Sequence, residues 1–186
     1  MASMSNTKKE LLHEASKIFL KKGFHGLTLQ DLADALKIRK ASLFHHVSSK
    51  KQLGIELLKF YQDSFSIWTL KHQKTNPKKQ IIAYADELTR WICEKKRVCP
   101  VGAMALDWEN VDEEIKEELK NLHYLQRDWL TECFKEIKKT ENLKVPVAVA
   151  VEGTMGLLQG SIQIARMLDK PEIVRQNLNQ YLKGIL

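Results

Sequence analysis

The stretch Lys37–Lys50, KIRKASLFHHVSSK, decides the fold of this chain. It places three lysines, one arginine and two adjacent histidines around a few apolar residues. The spacing of Ile38, Leu43 and Val47 puts them on the side that faces the preceding segments, and predicts a short helix from about Arg39 to His46. The polar side chains then project outward: Arg39, Lys40, Ser42, His45 and His46. Such a basic surface could serve a nucleic acid, a metal ion or an import receptor.

Helix start signals lie on both sides of this stretch. Thr7 and Glu10 form a capping box for a first helix, which Gly23 is placed to end. Thr28 starts a second, short helix, and Ser49, followed by a glutamine three positions later, starts a long fourth one. We expect the second helix to bury four side chains: Leu29, Leu32, Ala33 and Leu36. Three short helices with a tight turn between the second and third form the helix-turn-helix plan.

The rest of the chain also has helical periodicity, which predicts an all-α protein. Further helices are expected over about 78–96, 112–139 and 145–168, and after residue 171. Residues 97–110 are expected to be irregular, because Pro100 and Gly102 interrupt a continuous helix. We therefore predict a helix-turn-helix DNA-binding domain over 1–50 and a larger ligand-binding and dimerisation domain over 51–186.

The charge is concentrated in the N-terminal quarter. Residues 1–51 contain ten Lys or Arg and four Asp or Glu, a net charge of +6, whereas the remaining residues contain 20 basic and 19 acidic groups, a net charge of +1. A basic module joined to a nearly neutral remainder is typical of a polyanion-binding domain attached to another function. A solvated basic face gives the same pattern, so charge alone does not decide between the two.

Residues 11–57 resemble the DNA-binding domain of the TetR/AcrR family of one-component transcriptional regulators. The resemblance rests on residue pairs at family spacing and on one longer run: Gly23-Phe24, Thr28-Leu29, Leu32-Ala33, Ala35-Leu36 and Ala41–Lys50, which reads small-small-Leu-aromatic-x-His-apolar-x-Ser-Lys. It implies an N-terminal helix-turn-helix followed by a larger helical regulatory domain. It also implies a homodimer that binds a palindromic operator in double-stranded DNA.

The resemblance further implies a DNA contact at individual positions. Lys40 and Ala41 stand where the family reads base edges. Four other positions correspond to phosphate contacts: Thr28, Ser42, His46 and Lys50.

Three residues depart from the family pattern. Phe44 replaces the usual tyrosine, so a phosphate hydrogen bond is lost while contact with a thymine methyl group remains available. Arg39 replaces a small capping residue and can add a base or phosphate contact. Lys37 replaces the frequent turn glycine, so a different backbone is expected there.

The adjacent histidines do not form a metal site in this interpretation. His45 and His46 point about 100° apart on a helix and cannot chelate one ion, and no histidine follows either of them at i+4. An import signal also fits poorly, because buried apolar residues divide the basic cluster. We therefore assign no metal, and we cannot assign a role to His45.

Three glycines in the predicted helix over 145–168 have the spacing of one helix face. Gly153, Gly156 and Gly160 are at i, i+3 and i+7, and glycine in a helix interior costs about 1 kcal/mol each. Close approach of a neighbouring helix is the simplest reason, which predicts a homodimer interface through the last two helices. Packing within one chain or the lining of a ligand cavity would also explain the glycines.

A sensor pocket is expected in the larger domain, mostly apolar with a few polar groups. Its candidate lining residues are Trp68, Trp91, Met104, Trp108, Tyr124, Trp129, Met155, Gln159 and Met167. Taken singly, each of them is better explained as a core residue than as a ligand contact.

Cys99 is a second candidate sensor. Three basic residues precede it closely and could lower the pKa of its thiol, and Pro100 follows it. The surrounding segment also resembles a Gly-Cys-x-x-Gly-x-x-Ala-x-Glu motif in a TetR branch that includes sensors of electrophiles and oxidants, although Arg97 and Val98 replace the residues expected before the cysteine. A buried structural thiol is the alternative, and it is the one expected for Cys133.

The remaining features place limits on the function. Three cysteines in no regular framework, together with the lack of an apolar leader, predict a reduced cytoplasmic protein. The apolar segment over 145–168 contains charged residues and predicts a buried helix, not a membrane span. No phosphate loop, nucleophile elbow or HExxH motif occurs, so we predict no enzyme activity and no cofactor. The alternative to a repressor released by a small molecule or by thiol modification is a helical protein-interaction or ligand-binding module whose basic N-terminus is incidental.

Overall fold

The computed structural model describes residues 6–90, 100–105 and 108–186, and every regular element in these residues is helical. The helices are α1 (Asn6–Gly26), α2 (Leu29–Ala35), α3 (Lys40–Leu43), α4 (Lys50–His72), α5 (Pro77–Thr89), α6 (Pro100–Ala105), α7 (Glu113–Thr140), α8 (Val147–Leu168) and α9 (Glu172–Ile185), with a 3-10 turn at Trp108–Asn110 before α7. The prediction of an all-α protein is confirmed.

The chain forms two compact units, each made of two stretches of sequence. Unit 1 contains the described residues of Met1–Ser64 and Pro100–Leu122, and unit 2 contains those of Phe65–Cys99 and His123–Leu186. The predicted division of the chain after residue 50 stays a prediction, because these units are defined by packing alone.

The sequence signals mark the starts of α2 and α4, whereas α1 already contains Thr7 and bends at Gly23 without ending there. Gly23 interrupts α1 with φ 75° and ψ 175°, a backbone conformation that suits glycine. The Thr28 hydroxyl accepts a hydrogen bond from the Asp31 amide, at 3.0 Å, and so caps the first turn of α2. Similarly, the Ser49 hydroxyl accepts from the Gln52 amide at the start of α4, at 3.0 Å.

The turn between α2 and α3 is a left-handed helix cap built on a lysine. Lys37 has φ 55°, in the region that favours glycine. Its amide donates to the Asp34 carbonyl at 3.1 Å, and the Ile38 amide donates to the Ala33 carbonyl at 3.0 Å. This pair of hydrogen bonds is the Schellman pattern, in which glycine usually takes the left-handed position. The turn therefore keeps the conformation that a glycine would give, although the sequence predicts a different backbone at Lys37.

The third helix is shorter than its predicted span. Regular α-helix covers Lys40–Leu43 only, and hydrogen-bonded turns continue to Val47, whose amide donates to the Leu43 carbonyl at 3.0 Å. Leu43 and Val47 are buried, as predicted. The prediction that Ile38 is buried with them is wrong, because its side chain is 38% exposed. The left-handed residue before Ile38 redirects the chain, which helical periodicity alone cannot reveal.

Unit 1 has an apolar core shared by its helices. Phe19 and Leu20 of α1, Leu32 of α2 and Leu57 of α4 are fully buried, and the Ser16 and Tyr61 hydroxyls form a buried hydrogen bond of 2.9 Å. Two smaller predictions are wrong: Leu29 and Leu36 are only half-buried.

The segment that follows residue 99 corrects another prediction. Pro100–Ala105 forms the short helix α6, which packs against α1, although this region was expected to be irregular. Proline is compatible with the first turn of a helix, where its missing N–H is not needed. The residues 91–99 and 106–107 on either side lie outside the described part of the chain.

Unit 2 is built around α8 and α9, and α9 also packs against α5. Apolar residues at helical spacing form one buried face of α9: Val174, Leu178, Leu182 and Ile185. Ion pairs join its helices at the surface, between Arg175 and Asp86 and between Lys78 and Glu141. Among the described residues, no helix is long and apolar enough to cross a membrane.

Candidate functional site

The surface around α3 is exposed at the positions that the sequence assigned to DNA contacts. Seven side chains of this segment are exposed: Arg39, Lys40, Ala41, Ser42, Phe44, His45 and His46. Because Leu43 and Val47 anchor the segment to the core, these side chains are presented together on one basic surface. A short helix that offers its first residues outward is the arrangement with which helix-turn-helix proteins contact base edges.

The cations of this surface lack the ion pairs found elsewhere in unit 1. Carboxylates lie within 4.0 Å of the amino groups of seven lysines of this unit: Lys8, Lys17, Lys22, Lys51, Lys59, Lys116 and Lys120. In contrast, Lys37, Arg39 and Lys40 have no carboxylate partner among the described residues. Three unpaired positive charges within four positions make this the segment of unit 1 best suited to bind an anion.

Thr28 is engaged in a network at the start of α2. Its hydroxyl donates to an oxygen of the Asp31 carboxylate at 2.8 Å, and Lys22 donates to the other carboxylate oxygen at 3.0 Å. The Lys22 hydrogen bond, followed by that from Thr28, holds the pKa of Asp31 below its usual value. This carboxylate therefore stays charged and is neutralised by Lys22, which limits its repulsion of a phosphate nearby.

Lys50, at the first turn of α4, contacts the end of α1. Its amino group donates to the His25 carbonyl at 3.0 Å and lies 5.0 Å from the centre of the Phe24 ring. Both contacts involve a flexible side chain at the surface, so the amino group can exchange them for a phosphate. Lys50 could be identified from the sequence, but its contacts could not, because the hydrogen bond to His25 joins positions 25 residues apart.

The three glycines of α8 have different surroundings. A side chain at Gly153 would overlap the hydroxyl of Tyr181 on α9, which donates to the carbonyls of Val149 at 3.3 Å and Ala150 at 3.4 Å. Gly153 thus allows α8 and α9 of one chain to pack closely. Gly156 and Gly160 are exposed and face open space.

An exposed apolar stripe accompanies these last two glycines. Val149, Ile164 and Met167 lie on the same face of α8 by helical spacing and are 53%, 43% and 75% exposed. A helix that exposes large apolar side chains beside glycines has the composition of an interface, because glycine permits close approach of another backbone.

The candidate sensor residues fall in both units. Met104 is buried and Trp108 half-buried in unit 1, where the Lys116 amino group lies 5.4 Å from the centre of the Trp108 ring. Unit 2 contains the half-buried Met155 and Gln159 and the exposed Tyr124 and Met167. Trp91 and Cys99 lie outside the described residues.

Two of the candidates meet in an aromatic cluster of unit 2. The rings of Trp68 and Trp129 are 5.6 Å apart, nearly perpendicular, and Phe65 and Tyr84 pack against both. The indole nitrogen of Trp129 is buried and has no hydrogen-bond partner among the described residues. Of these four aromatic side chains, Trp129 lines the cleft beside the cluster.

That cleft has a volume of about 270 Å³ and lies between α4, α5 and α7. It is lined by Thr69, Leu70, Gln73, Pro77, Gln80, Trp129, Glu132, Cys133 and Glu136. Of the sequence-predicted sensor residues, Trp129 is the one that lines it. The remaining lining residues of the cleft could not be predicted from the sequence, because they come from separate parts of the chain and share no common spacing.

Cys133 is buried beside this cleft, as expected for a structural thiol. Burial raises the pKa of its thiol to about 12, and its sulfur lies 3.9 Å from the Gln80 amide oxygen. A thiol that stays protonated is a poor nucleophile. No cluster of potential metal ligands occurs in the described residues, which include His45 and His46.

Residues 11–57 match the family model of bacterial regulatory proteins of the tetR family. This range begins within α1, contains α2 and α3 and ends within α4. It therefore includes the whole basic surface described above.

Known proteins resemble both this segment and the whole chain. An uncharacterised HTH-type transcriptional regulator of Lactococcus lactis, from the lacX 3' region, is 21% identical over 95% of this chain and 92% of its own. The HTH-type transcriptional repressor KstR2 of Rhodococcus jostii is 37% identical over 32% of this chain and 29% of its own. A TetR transcriptional regulator from Legionella pneumophila has the same fold over the full length of both chains, with a TM-score of 0.88 and 20% identity. Residues 11–57 therefore carry the N-terminal segment that the tetR family model describes, and the whole chain has the fold of TetR regulators.

Proposed function

We propose that this chain is a homodimeric repressor that binds a palindromic operator through α3 and leaves it when an effector binds or a thiol is modified. Relatives that are named repressors support the first part, and TetR-family regulators bind operator DNA as homodimers. Two copies would place their α3 segments in successive major grooves, about 34–36 Å apart.

The observation that carries the proposal is the group of unpaired cations beside α3. Lys37, Arg39 and Lys40 are exposed and have no carboxylate partner among the described residues, whereas most other cations of unit 1 are paired. Phosphate neutralisation releases counterions, so unpaired cations on a convex helix contribute directly to DNA affinity. Paired lysines would first have to give up their carboxylates.

Each exposed residue of the segment except His45 has a proposed role. Arg39 and Lys40 reach base edges, and the small Ala41 lets the helix backbone approach them. Ser42 and His46 contact phosphates, and Phe44 offers an apolar ring to a thymine methyl group. These roles follow from the family pattern and from the exposure of the side chains.

Thr28 and Lys50 bind phosphates at the margins of the surface. The Thr28 hydroxyl has one hydrogen and must leave the Asp31 carboxylate, whereas the Lys50 ammonium group has three and can donate to a phosphate while it keeps the His25 carbonyl. The Thr28 contact therefore contributes less than an unpaired donor would, because one hydrogen bond is lost for the one gained.

The homodimer forms through the exposed stripe of α8, together with α9. Gly156 and Gly160 offer open space to the backbone of a second copy, and Val149, Ile164 and Met167 supply apolar contact. Gly153 contributes indirectly, since it seats Tyr181 of the same chain.

The effector acts on the larger domain. A small molecule would bind unit 2 beside Trp68 and Trp129, whose rings are already held in place. Binding would shift the dimer between two geometries that differ in the separation of the α3 segments. Modification of Cys99 is the second route to release.

A titration with DNA tests the proposal. Duplexes from the promoter region of the protein's own gene are titrated at several salt concentrations. We expect sequence-specific binding whose affinity falls steeply as the salt concentration rises. Arg39→Ala or Lys40→Ala should lose about 1–3 kcal/mol of binding free energy if the residue contacts a base. Each substitution that removes a phosphate contact should reduce the salt slope by about 1. Lys59→Ala is the matched control, because Lys59 is already paired with Glu118.

Binding that ignores sequence, and that is unchanged in Arg39→Ala and Lys40→Ala, would refute the repressor and leave the alternative of a protein-interaction or ligand-binding module.

Two further experiments test the dimer and the sensor. Gly160→Glu should convert the dimer to monomers in sedimentation velocity, whereas Ala148→Glu, on an exposed position of α8 away from the stripe, should not. Cys99→Ser should abolish release from DNA by an electrophile, and an unchanged response would remove Cys99 from the mechanism.

A further inference from the structure

Two large apolar side chains are exposed in the described part of unit 1, and both border α3. Ile38 is 38% exposed just before the helix, and Phe44 is 48% exposed just after it. The other exposed large apolar side chains of the described residues belong to unit 2. An isolated apolar side chain at a surface needs no explanation, but two at the ends of one basic helix do.

Ile38 is not part of the apolar core beneath α3. Leu43 and Val47 fill the positions beneath α3 and are almost completely buried. Ile38 follows the left-handed Lys37, and its amide donates to the Ala33 carbonyl, which fixes the backbone and directs the chain outward. An apolar contact with the preceding helix often accompanies this cap, but it uses only the part of the side chain that is covered.

The surroundings of Ile38 indicate what covers the exposed part. Lys37, Arg39 and Lys40 adjoin it in sequence, are exposed, and have no carboxylate partner among the described residues. A surface with this charge attracts a polyanion and disfavours an apolar protein partner. In the major groove of DNA the one apolar group on a base edge is the 5-methyl group of thymine.

We propose that Ile38 is a further specificity-determining residue, which contacts a thymine methyl group at the edge of the sequence read by α3. This inference rests on the proposed function, since it requires that α3 lies in the major groove. Burial of a methyl-sized group contributes about 0.8 kcal/mol, which corresponds to about a fourfold preference for thymine over uracil in each half-site. Phe44 has the same kind of contact at the other end of α3, so each half-site should contain two such thymines.

The test removes single methyl groups from the DNA. An operator is first selected from a pool of random duplexes with the wild-type protein. Each thymine is then replaced in turn by deoxyuridine, which keeps the base pair and lacks only the methyl group. We expect wild-type affinity to fall about fourfold at the thymine that Ile38 contacts. The Ile38→Ala variant should bind the duplexes with thymine and with deoxyuridine at this position equally. It should still bind more weakly when deoxyuridine replaces the thymine assigned to Phe44.

Two variants serve as controls. Ile38→Thr keeps the branched shape but exposes a hydroxyl, and should show a reduced penalty even if Ile38→Ala proves too unstable to assay. Ile67→Ala removes another exposed isoleucine, 54% exposed in unit 2, and should retain the wild-type penalties throughout.

The results separate this inference from the proposed function. If Ile38→Ala and Ile38→Thr keep every wild-type deoxyuridine penalty, the contact with Ile38 is refuted while DNA recognition by α3 stands. If the wild-type protein selects no operator at all, the proposed function itself fails.

Discussion

Replacement of Lys37 by glycine should stabilise the turn between α2 and α3. The left-handed backbone at φ 55° costs a residue with a Cβ atom about 1–2 kcal/mol, and glycine avoids this cost. Glycine also gains freedom in the unfolded chain, which offsets about 0.4–1 kcal/mol. The net effect is about 0.5–1 kcal/mol in favour of the glycine variant, or about 1–4 °C in Tm for a chain of this size.

The comparison that isolates the backbone is Lys37→Gly against Lys37→Ala. Both variants lose the same positive charge, so their DNA affinities should depend equally on salt. Alanine keeps the unfavourable left-handed conformation, and its stability should stay within about 0.5 kcal/mol of the wild type.

Amide hydrogen exchange measures the effect at the turn itself. The Ile38 amide donates to the Ala33 carbonyl and should exchange about two- to fivefold more slowly in Lys37→Gly than in Lys37→Ala. Asp169 ends α8 with φ 53°, so Asp169→Gly and Asp169→Ala form a matched pair in unit 2 that should leave the Ile38 amide unchanged. If the glycine variant at position 37 is no more stable than the alanine variant, the argument from the left-handed turn is wrong.

Three other predictions concern positions away from α3. Gly153→Ala should lower Tm, because the added methyl group overlaps the Tyr181 hydroxyl at an overpacking cost of about 1–3 kcal/mol, which the better helix propensity of alanine offsets in part. Adding Tyr181→Phe should restore much of the lost stability. If the effects of the two substitutions on stability are additive, this packing is contradicted. Cys133, with a thiol pKa of about 12, should be alkylated at pH 8 about a thousandfold more slowly in the folded protein than after unfolding, in a variant whose other two cysteines are serine; equal rates would show that it is not buried. Because the pKa of Asp31 is lowered in the folded protein, the charged Asp31 stabilises the fold above its unfolded pKa, near 3.8, and this stabilisation is lost as the pH falls through the folded pKa. Lys22→Met should raise the folded pKa of Asp31 in an NMR titration. An unchanged titration would exclude the Lys22 ion pair as the main cause of the lowered pKa.

Local signals in the sequence were sufficient for the starts of α2 and α4 and for the resemblance to the TetR family. Thr28 and Ser49 cap α2 and α4 through hydrogen bonds that span three residues, so their effect can be predicted without knowledge of the fold. Leu43 and Val47 are buried because helical spacing repeats over a few turns. The basic surface follows from the same spacing, since the residues between the buried ones must point outward.

Two sequence predictions were wrong, the burial of Ile38 and the irregular structure at Pro100, because each relied on a single general rule. Helical periodicity placed Ile38 in the core, but the left-handed Lys37 before it turns the chain and leaves the side chain 38% exposed. Pro100 was expected to interrupt regular structure, yet it begins α6, because a first-turn proline needs no amide hydrogen.

By itself the sequence determined the all-α fold, the resemblance of residues 11–57 to the TetR family and the residues of the basic surface, because each of these depends on residues a few positions apart. Tertiary structure decided which cations are paired and which hydrogen bonds Thr28 and Lys50 make. It also decided that Tyr181 packs against Gly153 of α8, whereas open space lies beside Gly156 and Gly160. Most of these contacts join residues from different helices, and such distances depend on how the whole chain packs. The three glycines have the same spacing whether a side chain of their own chain or open space lies beside them, so only the packed structure separates Gly153 from Gly156 and Gly160.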